Sequence, residues 1–170
     1  MKLIIRPEAK DDFTDIRQIN RQAFQTDAEA NLVDALRKSN AEIISLVAEY
    51  NDLVVGHILF SQVTIDDQCP DIKICGLAPM AVLPEYQRQG IGSQLVNWGL
   101  DACRKAGFAA VVVLGHPQFY PRFGFQPSIN FQIKSEFDVP DEVFLALDLS
   151  KDALASCSGI IRYHAAFRKF

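Results

Sequence analysis

Met80-Ala81-Val82-Leu83-Pro84-Glu85-Tyr86-Gln87-Arg88-Gln89-Gly90-Ile91-Gly92 is the stretch that decides the fold. The apolar run before it reads as a strand, and the periodic segment from Ser93 to Ala106 reads as a helix. The first N–H groups of a helix lack internal partners, and the helix dipole favours negative charge there. Strand, tight turn and helix N-terminus together therefore predict an anion site. Gly90 and Gly92 let backbone approach a ligand with no Cβ in the way. Arg88 adds a cation whose planar fork suits phosphate. The spacing Gln-x-x-Gly-x-Gly belongs to neither a P-loop nor a dinucleotide-binding fold.

The chain on either side fits an α/β arrangement. Leu3 to Arg6 is a short strand stopped by Pro7, and Asp11 or Asp12 is expected to cap the helix that follows. Phe13, Ile16, Ile19, Asn20 and Ala23 form its inward stripe, with Asn20 the polar exception. Gln25-Thr26-Asp27 separates it from a second helix, Ala28 to Lys38. Ile43 to Glu49 and Leu53 to Ile65 read as an antiparallel hairpin, extended by Ile72 to Val82. Pro79 cannot donate to a sheet ladder, so that strand is predicted to bulge or splay there.

The helix after the cradle carries Ile91, Leu95, Trp98, Gly99, Ala102 and Cys103 on one stripe, and Gly107 ends it. The valine-rich run Ala109 to Leu114 is apolar on both faces, as a central parallel strand is. Ile72 to Leu114 is thus a βαβ unit with a right-handed crossover. Further strands are expected at Ile129 to Ile133, Val143 to Leu149 and Gly159 to Ala165, with a polar loop from Lys134 to Glu142. Residues 1–170 read as one domain with a mixed, largely antiparallel sheet.

Composition excludes some classes of function. A net charge of −4 offers no nucleic-acid footprint. No apolar run reaches the roughly 18 residues of a membrane span. The N-terminus turns polar too early for a secretory signal, so a cytoplasmic protein is expected. Cys69, Cys75, Cys103 and Cys157 show no Cys-x-x-Cys spacing and the histidines are scattered, so no metal site is expected and the thiols read as reduced.

Two segments together resemble the GCN5-related N-acetyltransferase (GNAT) superfamily. One is the stretch quoted above. The other is Phe119-Tyr120-Pro121-Arg122-Phe123-Gly124-Phe125, similar to the short helix and Gly-Phe strand start that the family places after its fifth strand. The order of elements matches over nearly the whole chain. The run from Gly115-His116-Pro117 through Phe125 looks most like the YhbS-type predicted acetyltransferases of bacteria.

The resemblance implies acetyl-CoA as co-substrate and direct transfer of its acetyl group to a primary amine of a small molecule or peptide. It implies that the cradle formed by Gln87, Arg88, Gln89, Gly90, Ile91, Gly92 and Ser93 holds the pyrophosphate. The backbone of Met80, Ala81 and Val82 would pair with the pantetheine arm in the gap opened at Pro79, and a backbone N–H near Val82 would polarise the thioester. Tyr120 matches the family's general acid for the departing thiolate. The family's strand glutamate is absent: Leu77 to Leu83 holds no carboxylate, and Glu85 lies past the strand and is expected to face solvent. His116 stands near the family's usual asparagine and is the candidate base, against a plain loop-supporting role. His57 reads as packing rather than catalytic. Glu29, at the start of the second helix, is the candidate for binding a cationic amine, although the helix dipole alone also favours a glutamate there. Acceptor specificity is expected from Gln25 to Asn31, Asp66 to Asp71 and Lys134 to Glu142. A catalytically silent acyl-CoA-binding module is the alternative. Exposed edges at the final strands would allow a homodimer.

Overall fold

The computed structural model describes residues 2–169. Its framework is a nine-stranded sheet. The first strands are β1 (Leu3–Pro7), β2 (Ile43–Tyr50), β3 (Leu53–Gln68), β4 (Lys73–Val82) and β5 (Phe108–Leu114). They are followed by β6 (Gln126–Pro127), β7 (Ile133–Ser135), β8 (Phe144–Asp148) and β9 (Ser158–Arg162). Along the main path the order is β1-β2-β3-β4-β5-β8-β6. The β4–β5 pair is parallel and sits at the centre of that path, with antiparallel neighbours on both sides.

Helices α1 (Phe13–Phe24) and α2 (Ala28–Lys38) cover one face and α3 (Ile91–Lys105) the other. Successive side chains of β3 point to opposite sides of the sheet. Ile58 and Phe60 accordingly pack with Leu95 and Val96 of α3, while Leu59 between them packs with Ile16 of α1 and Leu36 of α2. Each of these large side chains contributes roughly 1.5–3 kcal/mol by leaving water.

Several expectations need correction. Asp12 does not cap α1 with its side chain. Lys10–Asp12 is a 3-10 turn running straight into the helix, and the Asp12 carboxylate turns back to accept the Ala9 N–H (2.7 Å) and pair with Arg6 (2.7 Å). Trp98 is not on the buried stripe but 54% exposed. Gly99 brings α3 so close to Phe60 that Leu95, Gly99 and Cys103, with Val96 and Leu100, fill the contact and leave the indole outside. Ser128–Phe131 is a 3-10 turn, and the strand begins only at Ile133.

The last strand ends at Arg162, and Ala165–Arg168 is another 3-10 turn. It is no open edge: β9 pairs with β3 on one side and with β7, in parallel, on the other. Cys69 and Cys157 are not reduced but joined in a disulfide that ties the β3–β4 turn to the start of β9. Cys75 and Cys103 are free and buried, as small core hydrophobes.

Candidate functional site

The central parallel pair comes apart where Pro79 predicts it. Strands β4 and β5 pair from Lys73 to Leu77, and no register continues beyond Leu77 and Val113. On the other flank the register with β3 slips. Phe60 faces Leu77 and Ile58 faces Met80, so Leu59 stands against two residues, Ala78 and Pro79. The Ala78–Pro79 peptide is cis.

Beyond the bulge the register fixes which backbone groups face the gap. The Leu83 N–H donates to the Val55 carbonyl at 2.8 Å. Antiparallel pairs alternate between hydrogen-bonded and non-bonded. The Ala81–His57 pair is therefore bonded, and the backbone groups of Met80 and Val82 point away from β3 into the gap. Ala81, expected to face a ligand, spends its backbone on β3. The Val82 carbonyl oxygen accepts a hydrogen bond from Gln87 Nε2 at 2.9 Å, tying the strand end to the turn.

That turn is built as the sequence predicts. Pro84–Tyr86 makes one 3-10 turn, then Arg88 and Gly90 take positive φ of 62° and 86°. The Gln94 N–H is the first of α3 to close back, onto the Gly90 carbonyl at 3.1 Å. The N–H groups of Ile91, Gly92 and Ser93 therefore emerge at the helix start with no intrahelical partner. A Cβ at Gly90 would meet nothing within 4 Å. Its φ, rather than crowding, is what calls for glycine.

On the α3 side of the sheet the gap opens as a cleft of about 620 Å³. Met80, Val82, Tyr86, Gln87, Arg88, Gly90, Gly92 and Ser93 line one wall; His116, Phe119 and Arg122 line the other. Arg122 stacks over the Phe119 ring, 4.7 Å from its centroid. Arg122, Tyr86 and Phe119 were not singled out from the sequence. Their signal was available, because all three lie within or beside the two motifs. Gln89 and Glu85 are exposed beside the turn and do not line the cleft.

A second cavity, about 390 Å³, opens from the α1–α2 side. Glu29, Phe24 and Leu32 come from the helices, Leu77 to Met80 from the bulge, Leu114 to His116, Phe119 and Tyr120 from β5 and the turn after it, and Phe167 from the C-terminal 3-10 turn. Met80, His116 and Phe119 line both cavities. These three residues thus stand between the two cavities, at the split in the sheet. Of the three segments expected to shape this side, only Gln25 to Asn31 contributes. Asp66 instead pairs with Arg162, and Phe137 packs on Tyr163.

Tyr120 is buried, its ring edge-on to Phe119 (5.0 Å) and Phe125 (5.6 Å). Burial pushes its phenol up to about 12, so it holds its proton throughout the neutral range. His116 is exposed, and its backbone carbonyl accepts from the N–H groups of Phe119 and Tyr120, which winds the turn that aims the tyrosine. Glu29 accepts a hydrogen bond from Thr26 Oγ1 at 3.0 Å through Oε1.

His57 is fully buried and lines neither cavity. Ser45 Oγ donates to Glu8 Oε1 (2.5 Å), so its oxygen accepts from His57 Nε2 (2.9 Å). Asn20 Nδ2 donates to the Ile16 carbonyl (3.0 Å) and to His57 Nδ1 (3.3 Å). This assigns a neutral imidazole with its proton on Nε2. It also gives the polar Asn20 of the α1 stripe its partner.

Known proteins share both sequence and architecture. The family model for the Acetyltransferase (GNAT) domain matches residues 41–127, from β2 to the short strand after Gly124-Phe125. The uncharacterized N-acetyltransferase YhbS of Escherichia coli strain K12 is 37% identical over 169 residues, covering 99% of this chain and 100% of that protein. The crystal structure of E. coli YhbS in complex with CoA superposes with a TM-score of 0.94 at 36% identity, covering 100% of this chain and 94% of that one. A GNAT family acetyltransferase from Brucella melitensis in complex with acetyl-CoA gives 0.80 at 36% identity, with 98% of each chain covered. A split parallel pair, a Gln-x-x-Gly-x-Gly cradle and these relatives agree: the chain belongs to the GNAT family of acetyltransferases.

Proposed function

We propose that this acetyltransferase moves the acetyl group of acetyl-CoA directly to a primary amine, with the two cavities as donor and acceptor sites. The observation that carries this reading is that the two cavities meet at Met80, His116 and Phe119, beside the split, with Tyr120 on the acceptor side. The donor cleft fits the co-substrate's chemistry. Emergent N–H groups at Ile91, Gly92 and Ser93, with Arg88, suit a pyrophosphate. Backbone groups of Met80 and Val82 facing the gap suit the amides of a pantetheine arm.

In this mechanism Glu29 attracts the ammonium and His116 takes one of its protons, since a protonated amine is no nucleophile. The nitrogen then attacks the thioester carbonyl carbon, whose oxygen a backbone N–H near Val82 polarises. The C–S bond breaks and Tyr120 protonates the leaving sulfur. The second proton shed by the nitrogen restores the phenol through solvent, and the proton on His116 returns to solvent. The products are an N-acetylamide and the free CoA thiol.

Calorimetric titration with acetyl-CoA, with ATP and NAD as controls, tests the donor site. Thiol release over an amine panel tests transfer. One observation favours a second reading, an acyl-CoA-binding module without turnover: the segment Leu77 to Leu83 carries no carboxylate. Binding without thiol release on any amine would select it.

A further inference from the structure

The walls of the acceptor cavity narrow the choice of amine. Among the described residues that line it, Glu29 is the one carboxylate, and no lysine or arginine is present. Apart from His116 and Tyr120, the other side chains are apolar, chiefly Phe24, Leu32, Pro79, Leu114, Phe119 and Phe167. Two of these stand at the mouth, since Phe24 and Leu114 are each 38% exposed. An apolar surface around one carboxylate suits a ligand with one cationic end and an apolar body.

We infer that the acceptor is a small monoamine with an aromatic or branched aliphatic body, a conclusion that rests on the reading of this cavity as the amine site. The volume of about 390 Å³ lies at the low end for small-ligand sites, which keeps the body short. Glu29 already uses Oε1 for Thr26, leaving Oε2 for the ammonium. A polyamine would bring a second cation to a wall with no second carboxylate. A peptide lysine would carry its backbone to a rim of phenylalanine and leucine, where amide groups find no partners and their desolvation is uncompensated. Both are disfavoured by what the site lacks, which is how polar mismatch enforces choice.

Phe167 sets the length. It reaches the cavity from the turn Ala165–Arg168 and is braced by Tyr163, ring centroids 5.0 Å apart. Exposing less than Phe24, it forms an inner wall rather than the rim. A residue this far along the chain from both sequence motifs thus limits how large the amine's body can be.

The test is a steady-state comparison on three acceptor sets: arylalkyl and branched alkyl monoamines, linear polyamines, and lysine-containing peptides. The monoamines should give the highest kcat/KM. Glu29→Gln should raise the amine KM about tenfold with kcat changed far less, as expected for loss of one charge-assisted contact. Phe167→Ala should shift preference toward bulkier monoamines while acetyl-CoA affinity, measured by calorimetry, stays constant. Faster transfer to peptides or polyamines than to monoamines would overturn this assignment and leave the N-acetyltransferase reading standing. Acetyl-CoA binding with no transfer to any set would overturn that reading, and this assignment with it.

Discussion

A Cβ built on Gly115 would lie 2.2 Å from Cε2 of Tyr120. The glycine after β5 therefore makes room for the buried ring that lines the second cavity. Under the proposed mechanism Tyr120→Phe should lower kcat about 100-fold, the usual scale for losing a positioned acid, with acetyl-CoA affinity unchanged. Gly115→Ala should lower kcat as well, because the methyl must push the ring aside. Wild-type turnover in both variants would remove Tyr120 from the chemistry.

Gly92 probes the cleft proposed for acetyl-CoA. A Cβ there would meet the Met80 Cε at 3.6 Å and Phe119 at 4.0 Å, ordinary contacts that point it into the cleft between its two walls. Alanine should therefore be tolerated, whereas Gly92→Leu should fill the space and weaken acetyl-CoA binding by about 100-fold or more, some 2.7 kcal/mol. Circular dichroism should remain unchanged, since α3 keeps its register. Tight binding by the leucine variant would place the co-substrate elsewhere.

Arg122 faces the same cleft from the far motif, stacked on Phe119. It is exposed, and its Nε donates to the Phe119 carbonyl at 3.3 Å, which leaves the two terminal nitrogens for an anion. Arg122→Ala should weaken acetyl-CoA binding about tenfold at low salt, the worth of one charge-assisted hydrogen bond. The difference from wild type should shrink as salt rises, because exposed charges are screened. A salt-independent loss would point to the Phe119 packing instead.

The Cys69–Cys157 disulfide closes a loop of 88 residues, and Cys75 and Cys103 stay free. In the chain-entropy account a bridge of that span stabilises by about 4.6 kcal/mol. Cys69→Ser should therefore lower Tm by roughly 10 °C or more relative to wild type under oxidising conditions, and the two should match in reductant. Alkylation of protein denatured without reductant should label Cys75 and Cys103 alone. Labelling of all four cysteines would show that the bridge is absent.

How far the sequence reached depends on how local each feature is. The bulge at Pro79 and the cradle from Gln87 to Ser93 were legible because a missing N–H and a positive φ are properties of the residue itself. The β1-to-β5 framework was legible because hydrophobic periods of two and of 3.6 differ plainly. What failed was non-local. Trp98 sits at the margin of its stripe, and only the close approach of Gly99 to Phe60 decides that it faces water. The spacing of Cys69 and Cys157 carries no pairing signal, since β9 brings them together only after it adds to the far end of β3. Phe167 could not be placed against Glu29 without the tertiary fold.

His57 makes the fold sensitive to acid at a pH well above the carboxylate range. Burial is the main cause that pushes its pKa from the ordinary 6.5 down to about 4, with Glu8 favouring the cation and Arg37 opposing it. Glu8 itself sits below its ordinary value, because its bonds to Arg37 and Ser45 outweigh the burial that would raise it. Between 6.5 and about 4 the unfolded chain therefore holds a proton that the native imidazole refuses. Stability is then fully present above the unfolded value and lost as pH falls through that window. The loss should be about 2 kcal/mol on going from near pH 7.5 to near pH 5, at 1.36 kcal/mol per unit. The depressed carboxylates Glu8 and Asp12 add their own losses only at lower pH, once the unfolded carboxylates begin to bind protons. Urea unfolding at the two pH values measures the difference directly. His57→Gln should be less stable than wild type near pH 7.5, because the Ser45 and Asn20 partners are disturbed, yet should lose much less on acidification. A wild-type protein equally stable at both values would mean that His57 is protonated in the native state, contrary to the hydrogen bonds that assign it neutral.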